Sequence, residues 1–133
     1  MYTLKQFLDS DLSLVIYEGA REVFSSGASD LEPLVQYLDQ DSTVGGNLTV
    51  FDRFVGRAAA LLISTLKPRR VYTGVISENG AQVLEAMGIP FEAAETAKYL
   101  MGVASEDMCR WEKLSLGKTP DELLDELRKM RER

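Results

Sequence analysis

Histidine is absent from this chain, and cysteine occurs once, at Cys109, among 133 residues. Without an imidazole there is no Cys–His nucleophile. One thiol cannot close an intrachain disulfide, and a zinc centre draws three or four ligands from Cys, His or carboxylates, of which almost only carboxylates are on offer. No metal and no cofactor is therefore expected. Long apolar runs are also missing: none approaches the roughly 18 residues of a bilayer-spanning helix, and the opening YTLKQFLDSD has neither a basic leader nor a signal-peptide core. The expectations are no membrane partner and a cytoplasmic location. Basic charge is in short supply, with 15 Lys and Arg against 21 Asp and Glu and a net charge of −6. Nonspecific nucleic-acid binding depends on a basic surface that neutralises phosphates, so no nucleic-acid partner is expected and any phosphate contact must be local.

What is present is a chain of 45% hydrophobic residues with no internal repeat, low-complexity tract or linker. A single domain over 1–133 with one core follows. Leu4, Phe7, Leu8 and Leu12 mark one face of a short helix before the strand LSLVIYEG, and a turn at Glu18-Gly19-Ala20-Arg21 leads to an antiparallel partner over 22–26. Ser29 reads as the cap of a helix over 30–38, with Glu32 as its capping-box partner. The loop Val44-Gly45-Gly46-Asn47 feeds LTVFDRFVGRAAALLISTL, where Thr49 and Asp52 read as a helix start, and the predicted central helix runs over 50–66 until Lys67-Pro68. A strand over 71–76, a helix opened by Ser77-Glu78-Asn79-Gly80 and closed by Gly88, and a strand over 89–93 make a parallel crossover. Residues 97–103 and 108–116 are ambiguous between strand and helix. Thr119-Pro120-Asp121-Glu122 opens a last helix that ends in basic residues. The fold class is α/β.

FDRFVGRAAALL at 51–62, VYTGVISENGAQVLEAMGI at 71–89 and DMCRWEKL at 107–114 together resemble a small bacterial family, domain of unknown function family 1893, which has the cytidine deaminase-like fold. The inferred element order, helix, hairpin, helix, strand, helix, strand, is similar to that fold. The resemblance implies a three-layer α/β/α architecture with a mixed sheet, an N-terminal antiparallel hairpin followed by parallel strands, and no established activity. Where the family pattern has Met-Cys-Pro, this chain has Met108-Cys109-Arg110. Zinc-dependent deaminases hold their metal with a His or Cys and a Glu at one helix start and Pro-Cys-x-x-Cys at the next. The corresponding starts here read Asp52-Arg53-Phe54-Val55-Gly56-Arg57 and Ser77-Glu78-Asn79-Gly80, so that mechanism lacks its ligands.

In an open α/β sheet ligands collect beyond the carboxyl ends of the strands, where helix N-termini converge. The candidate site is drawn there. Asp52 is expected to be held ionised near a helix start, as a ribose acceptor, a base or a covalent acceptor; as a plain cap it would pair with Thr49. Arg53 and Arg57, four apart on one helix face, call for something negative, either a neighbouring carboxylate or a phosphate. Gly56 inside a helix implies close approach of a ligand or of another backbone. Gly46 would wrap a ligand or simply make a turn. Ser77, Glu78 and Asn79 bring a hydroxyl, a carboxylate and an amide to the second helix start, where capping alone also explains Ser77. Cys109, beside Arg110 and Lys113, is either activated by them or a buried filler.

The expected function is binding of a small nucleotide-like or nucleoside-like ligand at the converging helix starts, without zinc-dependent deamination. One alternative is a metal-free enzyme using Asp52 or Glu78 as general base or covalent acceptor. The other is a noncatalytic interaction module that forms a homodimer.

Overall fold

Thr3 and Gln6 open the first element by a reciprocal cap: the Gln6 amide donates to the Thr3 hydroxyl, and the Thr3 amide donates to the Gln6 side chain. This starts helix α1 (Leu4–Leu8), which buries Phe7. The protein is seen in a computed structural model that describes residues 2–28, 31–39, 46–98 and 115–131. Strands β1 (Leu14–Glu18) and β2 (Arg21–Ser26) form the expected antiparallel hairpin, its turn made by Gly19 at φ 62°. Helix α2 (Glu32–Asp39) follows; Ser29, its expected cap, lies outside the described residues.

The central element corrects the sequence expectation. Residues 48–55 are strand β3 (Leu48–Val55), and the helix begins only at Arg57, as α3 (Arg57–Leu66) with Gly56 as its N-cap. Thr49 and Asp52 therefore cap nothing. The β-branched and aromatic residues Thr49, Val50, Phe51, Phe54 and Val55 favour a pleated strand buried on both faces, and that burial decides the matter. α3 ends at Lys67, in the left-handed conformation before Pro68. Strand β4 (Arg70–Ser77), helix α4 (Glu78–Ala86) and strand β5 (Phe91–Ala97) complete the parallel part, with Gly88 at φ 70° after α4. β5 starts two residues later than expected and runs four further. Residues 99–114, which hold most of the two ambiguous stretches, lie outside the described residues. The last helix, α5 (Pro120–Arg131), has the expected reciprocal cap between Thr119 and Glu122.

The five strands make one sheet in the order β2-β1-β3-β4-β5, with β1 antiparallel to both neighbours and β3, β4 and β5 mutually parallel. α1 packs on one face, where Phe7 meets Val15 and Phe51. α2, α3, α4 and α5 cover the other, over Leu14, Ile16, Leu48, Val50 and Val71. The result is a three-layer α/β/α arrangement. The period-two alternation breaks on both central strands: Val50 and Val55 both face the larger core, as do Val71 and Ile76, although each pair is five residues apart. The ladder skips Arg53 and Gly74 at this point. A Cβ at Gly74 would stand 2.9 Å from the Arg53 carbonyl oxygen, so only glycine lets the strands lie this close.

Candidate functional site

β3 and β4 end side by side and each turns directly into a helix, so the N-termini of α3 and α4 meet at the carboxyl edge of the sheet. Gly80 sets their spacing. A Cβ there would lie 2.7 Å from the Val55 carbonyl oxygen and 3.1 Å from Gly56, so the first turn of α4 rests on the β3–α3 junction. Ser77, fully buried, accepts a hydrogen bond from the Gly80 amide at 3.0 Å and caps α4. Gly56 has no side chain to cap α3, which leaves that helix start without the usual side-chain oxygen. Glu78 is exposed in the first turn of α4, where a carboxylate sits well against the positive end of the helix, and Asn79 beside it is half-buried.

Arg57, the first residue of α3, donates from Nε to the Ser115 carbonyl at 3.2 Å and so ties this edge to the segment leading into α5. Arg53 does not share a helix face with it. It lies on β3 and turns to the opposite side of the sheet, where its guanidinium donates to the carbonyl oxygens of Phe7, Leu8, Ser10 and Leu12 at 2.8–3.3 Å and lies over the Phe7 ring. Phe7 and Leu8 end α1 and Ser10 and Leu12 follow it, and a cation suits the negative carbonyl end of a helix. Arg53 thus ties β3 to the end of α1, on the other side of the sheet from the paired helix starts.

Asp52 sits lower in the same strand, four residues and about 13 Å of extended chain before Gly56. It shares the helix-covered face of the sheet with Leu14 and Thr73, its register partners on β1 and β4. Burial pushes its carboxyl up to about 8, against a smaller downward pull from the Phe54 and Arg53 amides. The group expected to be held ionised is instead mostly neutral at pH 7, because a strand interior removes water without supplying a cation. Thr73, which sequence reasoning missed, is fully buried beside it and donates its hydroxyl proton to the Val75 carbonyl at 3.1 Å, across the break in alternation. The signal was a polar residue within the apolar run VYTGVI, legible only once its neighbour is known to be a strand.

Gly46 lies at the other end. It precedes β3, takes φ 63° and adjoins Asn47, whose carbonyl accepts from the Gly19 amide, so it serves a turn at the amino edge of the sheet. Cys109 lies outside the described residues. The structure thus gathers Gly56, Arg57, Ser77, Glu78 and Asn79, sets Asp52 beneath them, and separates Arg53 and Gly46. No group of three or more metal-ligating side chains occurs among the described residues, and the two helix starts present neither thiolate nor imidazole. The donor set does not fit a deaminase-type zinc.

The fold and this edge define a three-layer mixed α/β protein with paired helix starts at adjacent parallel strands. The family model "TM1506: Domain of unknown function (DUF1893)" matches residues 3–129, and the chain belongs to that family. It is similar to the crystal structure of a DUF1893 family protein from Thermotoga maritima, with a TM-score of 0.85 and 31% identity, over 96% of this chain and 86% of the other. No curated protein matches.

Proposed function

We propose that this chain is a cytoplasmic protein on a cytidine deaminase-like scaffold that binds a nucleotide or nucleoside-like ligand at the paired starts of α3 and α4, without zinc-dependent deamination. One observation carries the reading. Two helix N-termini, one of them without a side-chain cap, open together beyond the carboxyl ends of adjacent parallel strands, where backbone amides favour a phosphate. Arg57 supplies a guanidinium at the same edge and Asn79 a half-buried amide, while Ser77 holds the start of α4 in place as its cap.

The test is native and denaturing intact mass of the purified protein, followed by calorimetric titration with a panel of nucleosides and nucleotides. A retained or titratable ligand whose affinity falls at least tenfold in Arg57→Ala supports the site. Nucleotide binding that is unchanged in both Arg57→Ala and Asp52→Asn removes it.

Asp52 favours a second reading, a metal-free enzyme. As a neutral acid under the helix starts it would act as a proton donor rather than a base or covalent acceptor. Phe54, more than half exposed at the end of the central strand, favours a third, in which two copies meet at this edge. Sedimentation across a concentration series, for the native chain and Phe54→Ser, tests that reading.

A further inference from the structure

Among the described residues the sheet ends in β2 on one side and β5 on the other, and the two edges are not alike. β2 is blunted: its register with β1 shifts between Ile16 and Tyr17, an irregularity of the kind that twists an edge away from a partner. β5 has no such shift. It keeps one offset to β4 from Val71–Phe91 to Ser77–Ala97, holds neither proline nor lysine over its seven residues, and exposes Glu92, Ala94, Glu95 and Thr96. A straight edge of this length is a template for another strand, and three alanines and a threonine put little bulk in the way of one. Its two carboxylates, Glu92 and Glu95, decide which partner strand fits.

The direction of the backbone groups follows from one bond. The Val71 amide donates to the Pro90 carbonyl at 3.0 Å, and Val71 stands opposite Phe91. In a parallel ladder a residue bonds to the two that flank its opposite number, so Pro90 and Glu92 turn toward β4 while Phe91 and Ala93 turn their amides and carbonyls outward. With the offset unchanged, Glu95 and Ala97 follow Phe91 and Ala93. Antiparallel pairing of this edge with its own copy must bring outward groups together, so odd positions pair with odd ones. One such register uses the whole strand: Ala94 lies on the two-fold axis, with Phe91 opposite Ala97, Glu92 opposite Thr96 and Ala93 opposite Glu95. No like charges then stand opposite, and Lys98 falls diagonal to Glu92. The two Glu95 are diagonal to each other, about 7–8 Å apart, near the screening length of physiological salt. A slide of two residues either way shortens the overlap to five, and one such slide sets Glu95 directly against Glu95.

We propose that β5 is a dimer-forming edge whose occupant is β5 of a second copy, added antiparallel about a two-fold axis at Ala94. The outward amides and carbonyls of Phe91, Ala93, Glu95 and Ala97 bond across that axis, and the two sheets run on into each other. This edge runs along the side of the sheet, whereas the paired helix starts and Phe54 lie at its carboxyl end. The dimer therefore stands or falls independently of the nucleotide reading and of association through Phe54.

Sedimentation velocity across a concentration series should show the native full chain passing from monomer to dimer. Glu95→Pro removes an outward amide at an edge position where proline is tolerated, and by symmetry deletes two hydrogen bonds across the axis. It should weaken the dimer about tenfold or more with its circular dichroism retained, while Phe54→Ser should associate as the native chain does. Register is read by cross-linking with an added thiol oxidant, in chains whose one native thiol is removed by Cys109→Ser. Ala94→Cys should close to a covalent dimer, because residues facing each other at a non-hydrogen-bonded position lie about 4.5 Å apart. Glu92→Cys should not, its copy standing roughly 14 Å away along the strand, yet it should cross-link to Thr96→Cys when the two are mixed. A native chain that stays monomeric at every concentration overturns the proposal. So does a dimer lost in Phe54→Ser but kept in Glu95→Pro, or a Glu92→Cys chain that cross-links to itself as fast as Ala94→Cys.

Discussion

Asp52 and Arg53 are neighbours in one strand with opposite fates, because successive side chains of β3 face opposite layers. Arg53 reaches the end of α1, and Asp52 reaches a buried interior with two amides and Thr73 beside it. The consequence for Asp52 is a pH dependence of stability. Its unfolded carboxyl titrates near 3.8 and its folded one near 8, so the folded state holds an extra proton between these values. The stability this confers is fully present below the unfolded value and is lost as pH rises toward 8, at a limiting slope of ~1.4 kcal/mol per pH unit. Asp52→Asn keeps the shape and removes the charge. Denaturant unfolding from pH 5 to pH 9 should therefore show the native chain losing stability across the range and the variant staying nearly flat; parallel curves would contradict the buried neutral acid. For Arg53 the expectation concerns charge geometry. Arg53→Lys keeps the charge but cannot span four carbonyls, and it should cost about 2–4 kcal/mol in urea unfolding while leaving nucleotide titrations unchanged.

At the scale of elements, the junction of β3, α3 and α4 is held by an absent side chain. Replacing a glycine inside a helix by alanine ordinarily gains about 1 kcal/mol. Gly80→Ala should do the reverse, because the new Cβ would stand 2.7 Å from the Val55 carbonyl, and the displacement of α4 should lower stability by roughly 1–3 kcal/mol. Urea midpoints of the two proteins check the sign. The elements differed in how far sequence revealed them. Where the signal is local, as in the Gly19 turn, the Ser77 cap and the Thr119-Glu122 box, the expected element is found. β3 was hidden because Thr49 and Asp52 imitate a helix start, and because polar Asp52 and Arg53 look wrong for a central strand until their partners on α1 and β4 are seen. Merging β3 with α3 also placed Arg53 beside Arg57 and called for one carboxylate or phosphate to answer both, although the two serve different layers. Gly56, expected inside the helix, instead stands at the start of α3, next to the start of α4 that Ser77 caps.

Taken whole, the molecule closes its larger core with an element distant in sequence. α5 inserts Leu123 and Leu127 among buried residues shared with α2 and α3, and its Arg128 donates to Asp39 at the end of α2 at 2.7 Å. The two attachments differ in strength for a physical reason. The Arg128–Asp39 pair is substantially exposed on both sides, where solvent screens the attraction and ordering two side chains offsets much of it, so it contributes about 0–1 kcal/mol. Leu123 is fully buried, and truncating it leaves a cavity as well as losing the transfer of its methyl groups from water. Leu123→Ala should therefore cost about 2–5 kcal/mol and Arg128→Ala under about 1. Because α5 follows the segment at Ser115 that accepts from Arg57, loosening the helix should also release that arginine. Ligand affinity at the paired helix starts should then fall in Leu123→Ala and hold in Arg128→Ala. Calorimetry on both variants, at a temperature where each remains folded, separates this from simple unfolding: equal affinities would show that the site does not depend on how α5 is anchored.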